Sequence, residues 1–348
     1  MSPDKTCDSA PAIMAAVPAP AVQVHDLVVD QHGNLVRPVP EAAQGCAVAL
    51  GNFDGVHKGH AHLLHALAHA APRRKLGVVT FDPHPRSHFR PQDAPFRLSG
   101  PAVQNRLLGA LGVHHVFRFR FDTALARCSP DWFVNRLLLQ GLAVGHVACG
   151  ADFAFGHRRA GTVGELTDLL SASGVGLCVP PALMEGGAPV SSSRIRRLLQ
   201  EGYPDRAAVM LGRPWLIEGM VVHGDQRGRT LGFPTANVPL GLHVEPARGV
   251  YVARVRLMDG RTLGGVANVG SRPTVARDGE SRLEVHLFDF DEDIYGQALE
   301  VELLALLRSE RRFASLEALK AQITQDAGAA RAWLASHPAP TALPLGQA

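Results

Sequence analysis

Cysteine is scarce in this chain, and no long hydrophobic run is present. The five cysteines among 348 residues are odd in number, widely spaced and without a C-x-x-C pair. This pattern is typical of reduced thiols and argues against a disulfide framework or a zinc knuckle. No apolar run approaches the roughly 18 residues that a membrane helix needs. The first 20 residues, with Lys5 set against Asp4 and Asp8, make a poor signal or transit peptide. We therefore expect a cytoplasmic protein that does not contact a membrane.

An excess of charge of one sign is also lacking. The 35 Lys and Arg residues against 32 Asp and Glu residues leave a net charge of +3. The arginines are scattered rather than striped, so the sequence does not indicate a nucleic-acid partner. A hydrophobic content of 46% excludes wholesale disorder. At roughly 150 residues per domain the length predicts two domains. We expect a monomer or a weak oligomer with small-molecule substrates.

The order of sequence patterns divides the chain into four parts. Residues 1–43 are rich in Ala, Pro and Val and are expected to be an irregular extension with one short strand near 22–29. Over residues 44–211 apolar strands alternate with helical patterns, which predicts an α/β domain with a parallel sheet covered on both faces. Over residues 212–336 strands follow one another between Gly and Pro turns, which predicts an antiparallel β-barrel closed by a helix near 315–333. Residues 337–348 are expected to be a loose tail.

The first group of candidate residues lies in the sequence GNFDGVHKGH, residues 51–60. It follows a predicted buried strand and begins a predicted helix, the position where parallel α/β sheets bind ligands and where free N–H groups meet phosphate. The glycines allow close approach of the backbone to a ligand. The histidines, three residues apart, would share one side of the first helical turn and donate to phosphate oxygens. The predicted site residues here are Gly51, Asn52, Phe53, Asp54, Gly55, His57, Gly59 and His60.

This stretch has two other interpretations. Histidines at a helix start can be plain surface residues, but their pairing with Asn52, Asp54 and glycines at a strand–helix corner favours a functional site. A zinc site is the other chemical option, and no third ligand stands at suitable spacing.

A second phosphate-binding candidate is the sequence SSSRIR at residues 191–196. Hydroxyl groups at a helix start can cap the helix or bond phosphate, which selects Ser192 and Ser193. Arg196 can clamp a phosphate with two parallel hydrogen bonds. A capped surface helix with basic residues is the alternative.

A third group lies in the predicted barrel, in HGDQRGRTLGFPTAN at residues 223–237. Gly224, Gly228 and Gly232 suit a backbone that wraps phosphates, although no Walker A sequence is present. If the chain is extended, Thr235 and Asn237 point to the same side and could share one Mg²⁺ with phosphate oxygens. A long hairpin rich in turn residues is the other interpretation.

The HxGH and SSSRIR stretches resemble the nucleotidylyltransferase superfamily. The sequences TFDPHPR (80–86) and GADFAFG (150–156) narrow the resemblance to bacterial bifunctional riboflavin kinase/FMN adenylyltransferases, also called FAD synthetases. The resemblance covers residues 44–336 and implies a Rossmann-like N-terminal domain. It implies that the flavin of FMN binds at Asp82, Pro83, Asp152 and Phe155.

The barrel carries the kinase half of the resemblance. LGFPTAN (231–237) and LEVHLFDFD (283–291) are similar to riboflavin kinase motifs. The resemblance implies that Glu284 is the general base for the riboflavin 5′-hydroxyl, and that ATP contacts Gly224, Gly228, Arg229, Gly232 and Pro234. It also implies a Mg²⁺ cofactor, ATP as co-substrate, and riboflavin, FMN and FAD as substrate and products.

Two other functions stay open at this point. A related nucleotidylyltransferase with another acceptor would transfer AMP without phosphorylating riboflavin. A flavin-binding or nucleic-acid-binding regulator that kept the fold would be expected to lack Glu284 or an intact HxGH sequence, and both are present.

Overall fold

The N-terminal part of the protein is built on a six-stranded parallel sheet. The computed structural model describes residues 22–224, 232–271 and 281–338. Within them the first sheet has the strand order β1-β4-β3-β2-β5-β6, with every neighbouring pair parallel, which confirms the predicted α/β architecture. Its strands are β1 (Gln23–Leu27), β2 (Ala47–Leu50), β3 (Leu76–Asp82), β4 (Val113–Arg120), β5 (His146–Ala148) and β6 (Gly176–Cys178).

Helices cover both faces of this sheet because its strands are apolar on both sides. In β2, Ala47 and Ala49 face one core and Val48 and Leu50 face the other, as the two-residue period of a strand requires. Such continuous apolar strands are typical of buried parallel sheets. The helices of this part are α1 (Lys58–Ala70), α2 (Pro85–Phe89), α3 (Pro101–Ala110), α4 (Thr123–Ala126), α5 (Pro130–Trp132, continued with π-type hydrogen bonding over Phe133–Gly141), α6 (Val163–Ser171), α7 (Ser192–Gln200) and α8 (Pro204–Leu211).

Part of the region expected to be irregular belongs to the sheet. The short strand expected near 22–29 is present as β1, which pairs in parallel with β4 at the edge of the sheet. Leu27 and Val29 bury their side chains in the same core as Val48 and Leu50. Burial of these two apolar side chains explains why the segment around β1 packs onto the α/β part.

The C-terminal part is a six-stranded antiparallel sheet that curls into a near-barrel, as predicted. Its strand order is β10-β13-β12-β11-β14-β9, and a bridge between Val222 and Asn237 joins the end of β9 to β10. Helix α9 (Leu316–Ser336) packs outside it, and its start is capped by Ser315, whose Oγ accepts from the Ala318 N–H at 3.2 Å. The strands are β9 (Trp215–Met220), β10 (Ala236–Pro239), β11 (Gly249–Arg256), β12 (Thr262–Ser271), β13 (Ser281–Leu287) and β14 (Ala298–Ser309).

The sequence patterns missed several short elements. Strand β10 falls in a stretch interpreted as a loop, because Pro234 and Pro239 bracket it and proline usually weakens a strand. A two-stranded hairpin of β7 (Met184–Glu185) and β8 (Ala188–Pro189) also went unpredicted. Elements of this length carry too few residues to show a period.

The two parts share a continuous apolar core. Helices α7 and α8 contribute Ile195, Leu199 and Met210 to the cluster that holds Trp215 and Tyr251 of the barrel. Helix α8 ends at Gly212 in the left-handed conformation, and β9 begins three residues later. The α/β part and the barrel are therefore packed against each other at this point. Within the described residues, no helix combines the length and apolar character needed to cross a bilayer.

Candidate active sites

The loop between β2 and α1 has an unusual backbone path. Phe53, Gly55 and Val56 all have positive φ, at 51°, 82° and 40°, a region that side chains other than glycine rarely enter. At Gly55 a Cβ would also lie 2.8 Å from Leu98 Cδ1, so glycine is required there on both counts. This contorted path brings the chain directly into the first turn of α1, where His57 is the N-cap.

His57 and His60 hold each other in one protonation form. The His60 N–H donates to His57 Nδ1 at 3.3 Å, and the His57 N–H donates to His60 Nδ1 at 3.2 Å. The two rings stack with centroids 3.6 Å apart. Because both Nδ1 atoms accept, the proton of each neutral imidazole lies on Nε2. The helix cap thereby makes two Nε2–H donors side by side.

Burial keeps both histidines neutral at physiological pH. The pKa of His57 is lowered to about 4 by burial and, secondarily, by the positive charges of Arg213 and Arg196. The pKa of His60 is lowered well below its ordinary value by burial, with His57 and Arg213 adding to the effect. These side chains can therefore act as neutral hydrogen-bond donors to an anion.

The Asp54 side chain makes several hydrogen bonds within the protein. Its carboxylate accepts from the Leu98 N–H at 2.9 Å and the Ser99 N–H at 3.2 Å. Arg196 Nη2 donates to its other oxygen at 2.5 Å, and Ser192 Oγ donates to its backbone carbonyl at 2.9 Å. These bonds tie α7 and the segment before α3 to the β2–α1 loop. Asp54 therefore supports the loop and also forms part of the cleft wall.

Arg196 and Ser192, which donate these hydrogen bonds to Asp54, are both predicted phosphate-binding residues. Besides its bond to Asp54, Arg196 donates from Nε to the Phe96 carbonyl at 2.7 Å. Ser193, by contrast, is exposed at the start of α7. The side-chain oxygen of Asn52 is buried and has no hydrogen-bond partner among the described residues. A buried acceptor of this kind is an expected contact for a bound ligand.

A cleft of about 1120 Å³ joins the β2–α1 loop to the predicted flavin-binding stretches. Its volume is at the upper end of the range for ligand-binding pockets. Gly55, Asp82 and Pro83 are not among the lining residues. The predicted residues that do line it are Gly51, Asn52, Phe53, Asp54, His57, Gly59, His60, Asp152, Phe155, Ser192, Ser193 and Arg196.

The predicted flavin residues have different surroundings. Asp82 forms an ion pair with Arg97 at the end of β3. Asp152 is exposed at the cleft. Phe155 is buried in the core of the α/β part, 5.3 Å from the Phe133 ring, while its neighbour Phe153 is less buried and stacks on it at 5.6 Å. Phe155 thus combines a packing role with a place in the cleft wall.

Several cleft residues were missed by sequence reasoning. His84 lies in the TFDPHPR stretch, and burial lowers its pKa to about 4. Phe89, on α2, is 65% exposed and packs edge-on against Phe121, the residue that follows β4. His84 and Phe89 both follow the end of β3. Because ligands bind at the carboxyl ends of parallel strands, their position in the sequence was a signal that could have identified them.

The barrel places a row of polar residues on its outer face. Asn237 of β10 is paired directly with Glu284 of β13, which is paired in turn with Asn268 of β12. The flanking residues Leu283 and Val285 point into the barrel core. Directly paired residues share a face of the sheet, so the amide of Asn237 and the carboxylate of Glu284 start from neighbouring positions. Glu284 is exposed.

A smaller pocket of about 280 Å³ opens beside this row. Pro234, Thr235 and Asn237 line it together with Asp291, Asp293 and Tyr295, whereas Glu284, Gly224 and Gly232 do not. Gly224 lies against Asn237, where a Cβ would come within 2.6 Å of the amide oxygen. The predicted residues Gly228 and Arg229 lie outside the described residues.

The side-chain oxygen atoms near this pocket are of the kind that binds magnesium. Thr235 and Asn237 line the same pocket, and the Asn237 amide nitrogen donates to the Thr235 carbonyl at 3.5 Å, which leaves the amide oxygen free of that contact. A hydroxyl and an amide oxygen are the hard ligands that Mg²⁺ takes together with substrate phosphates. No group of three or more His, Cys, Asp or Glu side chains within the described ranges is placed to hold a metal.

A parallel α/β domain with histidine donors at a strand–helix corner, joined to an antiparallel barrel with a separate polar pocket, is the arrangement of a two-domain enzyme with two nucleotide sites. The comparisons with known proteins agree with this class. A FAD synthetase family model matches residues 39–194, and a riboflavin kinase family model matches residues 211–334.

The chain belongs to the bifunctional riboflavin kinase/FMN adenylyltransferase family. The relative from Escherichia coli K12 is 42% identical over 85% of this chain and 96% of its own length. The relative from Pseudomonas fluorescens is 45% identical over 83% and 93%, and that from Bacillus subtilis 37% over 83% and 92%. A solved structure titled as a macrolide-efflux protein from Streptococcus pneumoniae is 30% identical, with a TM-score of 0.79 over 90% of this chain and 100% of that one.

Proposed function

We propose that the two sites act in sequence to make FAD from riboflavin. As a family member, the chain is a riboflavin kinase and an FMN adenylyltransferase, and the ranges matched by the two family models assign the first activity to the barrel and the second to the α/β part. The remaining question is which residues perform each step. We assign them from the geometry of the two pockets.

In the barrel, Glu284 accepts the proton of the riboflavin 5′-hydroxyl as that oxygen attacks the γ-phosphate of ATP. Its place opposite Asn237 supports this role, because the base must stand next to the phosphates. Thr235 and Asn237 would hold Mg²⁺ beside them. When bound, the ion neutralises phosphate charge.

In the α/β cleft, a phosphate oxygen of FMN attacks the α-phosphate of a second ATP, and pyrophosphate leaves. The Nε2–H groups of His57 and His60 donate to the oxygens on which negative charge develops. Arg196 adds positive charge at the cleft edge while it stays bonded to Asp54. The substrate phosphate is the nucleophile, so no protein nucleophile is required and catalysis rests on positioning and electrostatics.

The observation that carries this proposal is the reciprocal capping of His57 and His60. Two stacked neutral imidazoles with Nε2 protonated, lining a cleft shared with the flavin stretches, form a donor pair for a transferring phosphoryl group. A capping box alone can be built from side chains such as Ser and Glu, which accept without a second ring nitrogen. The donor role explains why both positions hold imidazoles.

The test is a chromatographic product assay on purified protein with ATP and Mg²⁺, started from either riboflavin or FMN. His57→Asn keeps an acceptor at the cap position and removes the Nε2–H donor, so we expect FAD formation to fall at least a hundredfold with riboflavin phosphorylation unchanged. Glu284→Gln is expected to block FMN formation alone. His65→Asn on the exposed side of α1 and Glu317→Gln on α9 are the matched controls.

Three results would contradict the assignment. FAD formation by His57→Asn at the wild-type rate would remove the histidine pair from catalysis. AMP transfer without any phosphorylation of riboflavin would indicate a transferase with another acceptor. No flavin product in either reaction would indicate a flavin-binding regulator.

We further propose that the enzyme works in the cytoplasm as a monomer or a weak oligomer, with Mg²⁺ as its cofactor. The domain limits we propose are an extension over 1–43, an adenylyltransferase domain over 44–211, a kinase domain over 212–336 and a tail over 337–348. The shared core at α7 and α8 supports close contact between the two catalytic domains.

A further inference from the structure

Arg213 connects the start of the barrel to the β2–α1 loop. It lies between Gly212, which ends α8, and Trp215, which begins β9. Its Nη2 donates to the Gly55 carbonyl at 2.6 Å, and its Nη1 donates to the Val56 carbonyl at 3.1 Å. Arg213, a residue of the kinase domain, therefore donates hydrogen bonds to the two backbone carbonyls that immediately precede His57.

These carbonyls belong to the peptide groups that orient the histidines. The Val56 carbonyl and the His57 N–H share one planar peptide group. That N–H donates to His60 Nδ1 and so keeps the His60 proton on Nε2. A bond from Arg213 to the Val56 carbonyl thus fixes the direction of the N–H that selects the donor form of His60. The positive φ values of Gly55 and Val56 make this path unfavourable without such support.

Arg213 forms no ion pair with a carboxylate among the described residues, although the charge of Glu302 acts on it. Its Nε is buried without a hydrogen-bond partner there. Burial, with the like charge of Arg106, lowers its pKa to about 10, while Glu302 opposes the shift. It remains charged at neutral pH. A buried cation without a paired carboxylate is costly, and its field lowers the pKa of both histidines.

We propose that Arg213 is a positioning residue for adenylyl transfer, contributed by the kinase domain, which orients the Gly55–Val56 backbone and with it the peptide N–H that selects the donor form of His60. This inference rests on the proposed role of His57 and His60. Arg213 then has two effects that can be tested separately. Its guanidinium donates hydrogen bonds to two backbone carbonyls, and it places a positive charge next to the loop.

The first experiment measures both activities in the full-length protein. For Arg213→Gln we expect kcat for FAD formation from FMN to fall ten- to hundredfold, because a small displacement of catalytic donors costs about that much. The KM for ATP should change less than threefold, and riboflavin phosphorylation less than twofold. Arg206→Gln is the matched control, since Arg206 lies on the exposed side of α8 and stacks on Tyr203.

The second experiment separates the effect of the positive charge from the effect of the two hydrogen bonds. Arg213→Lys keeps the positive charge without the planar fork. By NMR titration of the imidazoles, we expect the pKa of His57 and His60 to rise in Arg213→Gln and to stay lowered in Arg213→Lys. In both variants Arg196 still lowers the pKa of His57. We expect kcat of the lysine variant to lie between those of the glutamine variant and the wild type. A plain packing role for Arg213 would not move these pKa values in this order.

Several outcomes would overturn the inference. One is FAD formation by Arg213→Gln within twofold of the wild type. Another is a parallel fall of both activities with the melting temperature, which would show a general folding role. If Arg213→Gln cannot be purified, an Arg213→Lys variant with unchanged kcat overturns it equally. If His57→Asn abolishes FAD formation while Arg213→Gln stays within twofold of the wild type, only the role of Arg213 is overturned. An active His57→Asn enzyme would overturn both proposals.

Discussion

The guanidinium of Arg196 and the carboxylate of Asp54 lie 2.5 Å apart although 142 positions separate them in the chain. Both side chains are largely buried. The same carboxylate holds the Leu98 and Ser99 N–H groups. One ion pair thus joins the start of α7, the segment before α3 and the loop that carries the histidines.

Removing one partner of this pair should be costly. In Asp54→Asn the buried charge of Arg196 loses its counter-ion, so we expect the free energy of unfolding to fall by about 3 kcal/mol. FAD formation should fall with it, because the loop loses its anchor. Chemical denaturation and the FAD assay measure the two effects. Asp168→Asn, on the exposed side of α6, is the control and should be neutral. A loss below 1 kcal/mol for Asp54→Asn would mean that the pair does not hold the loop.

Buried neutral histidines should make the protein less stable in mild acid. The pKa of His57 falls from its ordinary 6.5 to about 4 on folding, so the unfolded chain binds more protons between these values. The stabilisation that comes from neutral His57 is therefore fully present above pH 6.5. It is lost as the pH falls towards 4, and the complete loss lowers the free energy of unfolding by about 3 kcal/mol. Denaturation curves at pH 7 and 4.5 should show a drop that is roughly 2 kcal/mol smaller in His57→Asn. An unchanged drop would show that His57 is not buried in neutral form.

Thr235 should govern the metal requirement of the kinase step alone. Thr235→Val keeps the shape and removes the hydroxyl ligand, so we expect the half-saturating Mg²⁺ concentration for riboflavin phosphorylation to rise at least tenfold. Thr235→Ser keeps the hydroxyl and should stay within about threefold of the wild type. FAD formation from FMN is the internal control, and an equal effect of Thr235→Val on both reactions would rule out a metal-binding role specific to the kinase. Chelation with EDTA should stop riboflavin phosphorylation.

Gly224 should tolerate no side chain. A Cβ there would lie within 2.6 Å of the Asn237 amide oxygen, so Gly224→Ala must displace the Asn237 side chain. We expect riboflavin phosphorylation to fall at least tenfold with FAD formation from FMN unchanged. Gly328→Ala is the matched control, because nothing lies within 4 Å of its added methyl group in α9 and the helix should gain up to ~1 kcal/mol. Wild-type kinase activity in Gly224→Ala would exclude this contact from the active site.

The sequence predicted the architecture well because strand and helix periods are local properties. The alternation over the first part and the run of strands over the second are visible within windows of ten residues. The HxGH stretch was placed at a strand–helix corner for the same reason. Short elements such as β10 were missed because a strand of four residues that ends in a proline shows no period.

The sequence by itself determined the two-part fold, the family and the stretches around each pocket. The tertiary structure decided what individual side chains do. Asp54 and Arg196 were both expected to meet phosphate, yet packing of α7 against the loop turns them towards each other. Arg213 stands in no motif, and only the contact between α8 and the β2–α1 loop gives it two carbonyls to hold. Such contacts depend on residues far apart in the chain, and no local pattern encodes which of them will meet.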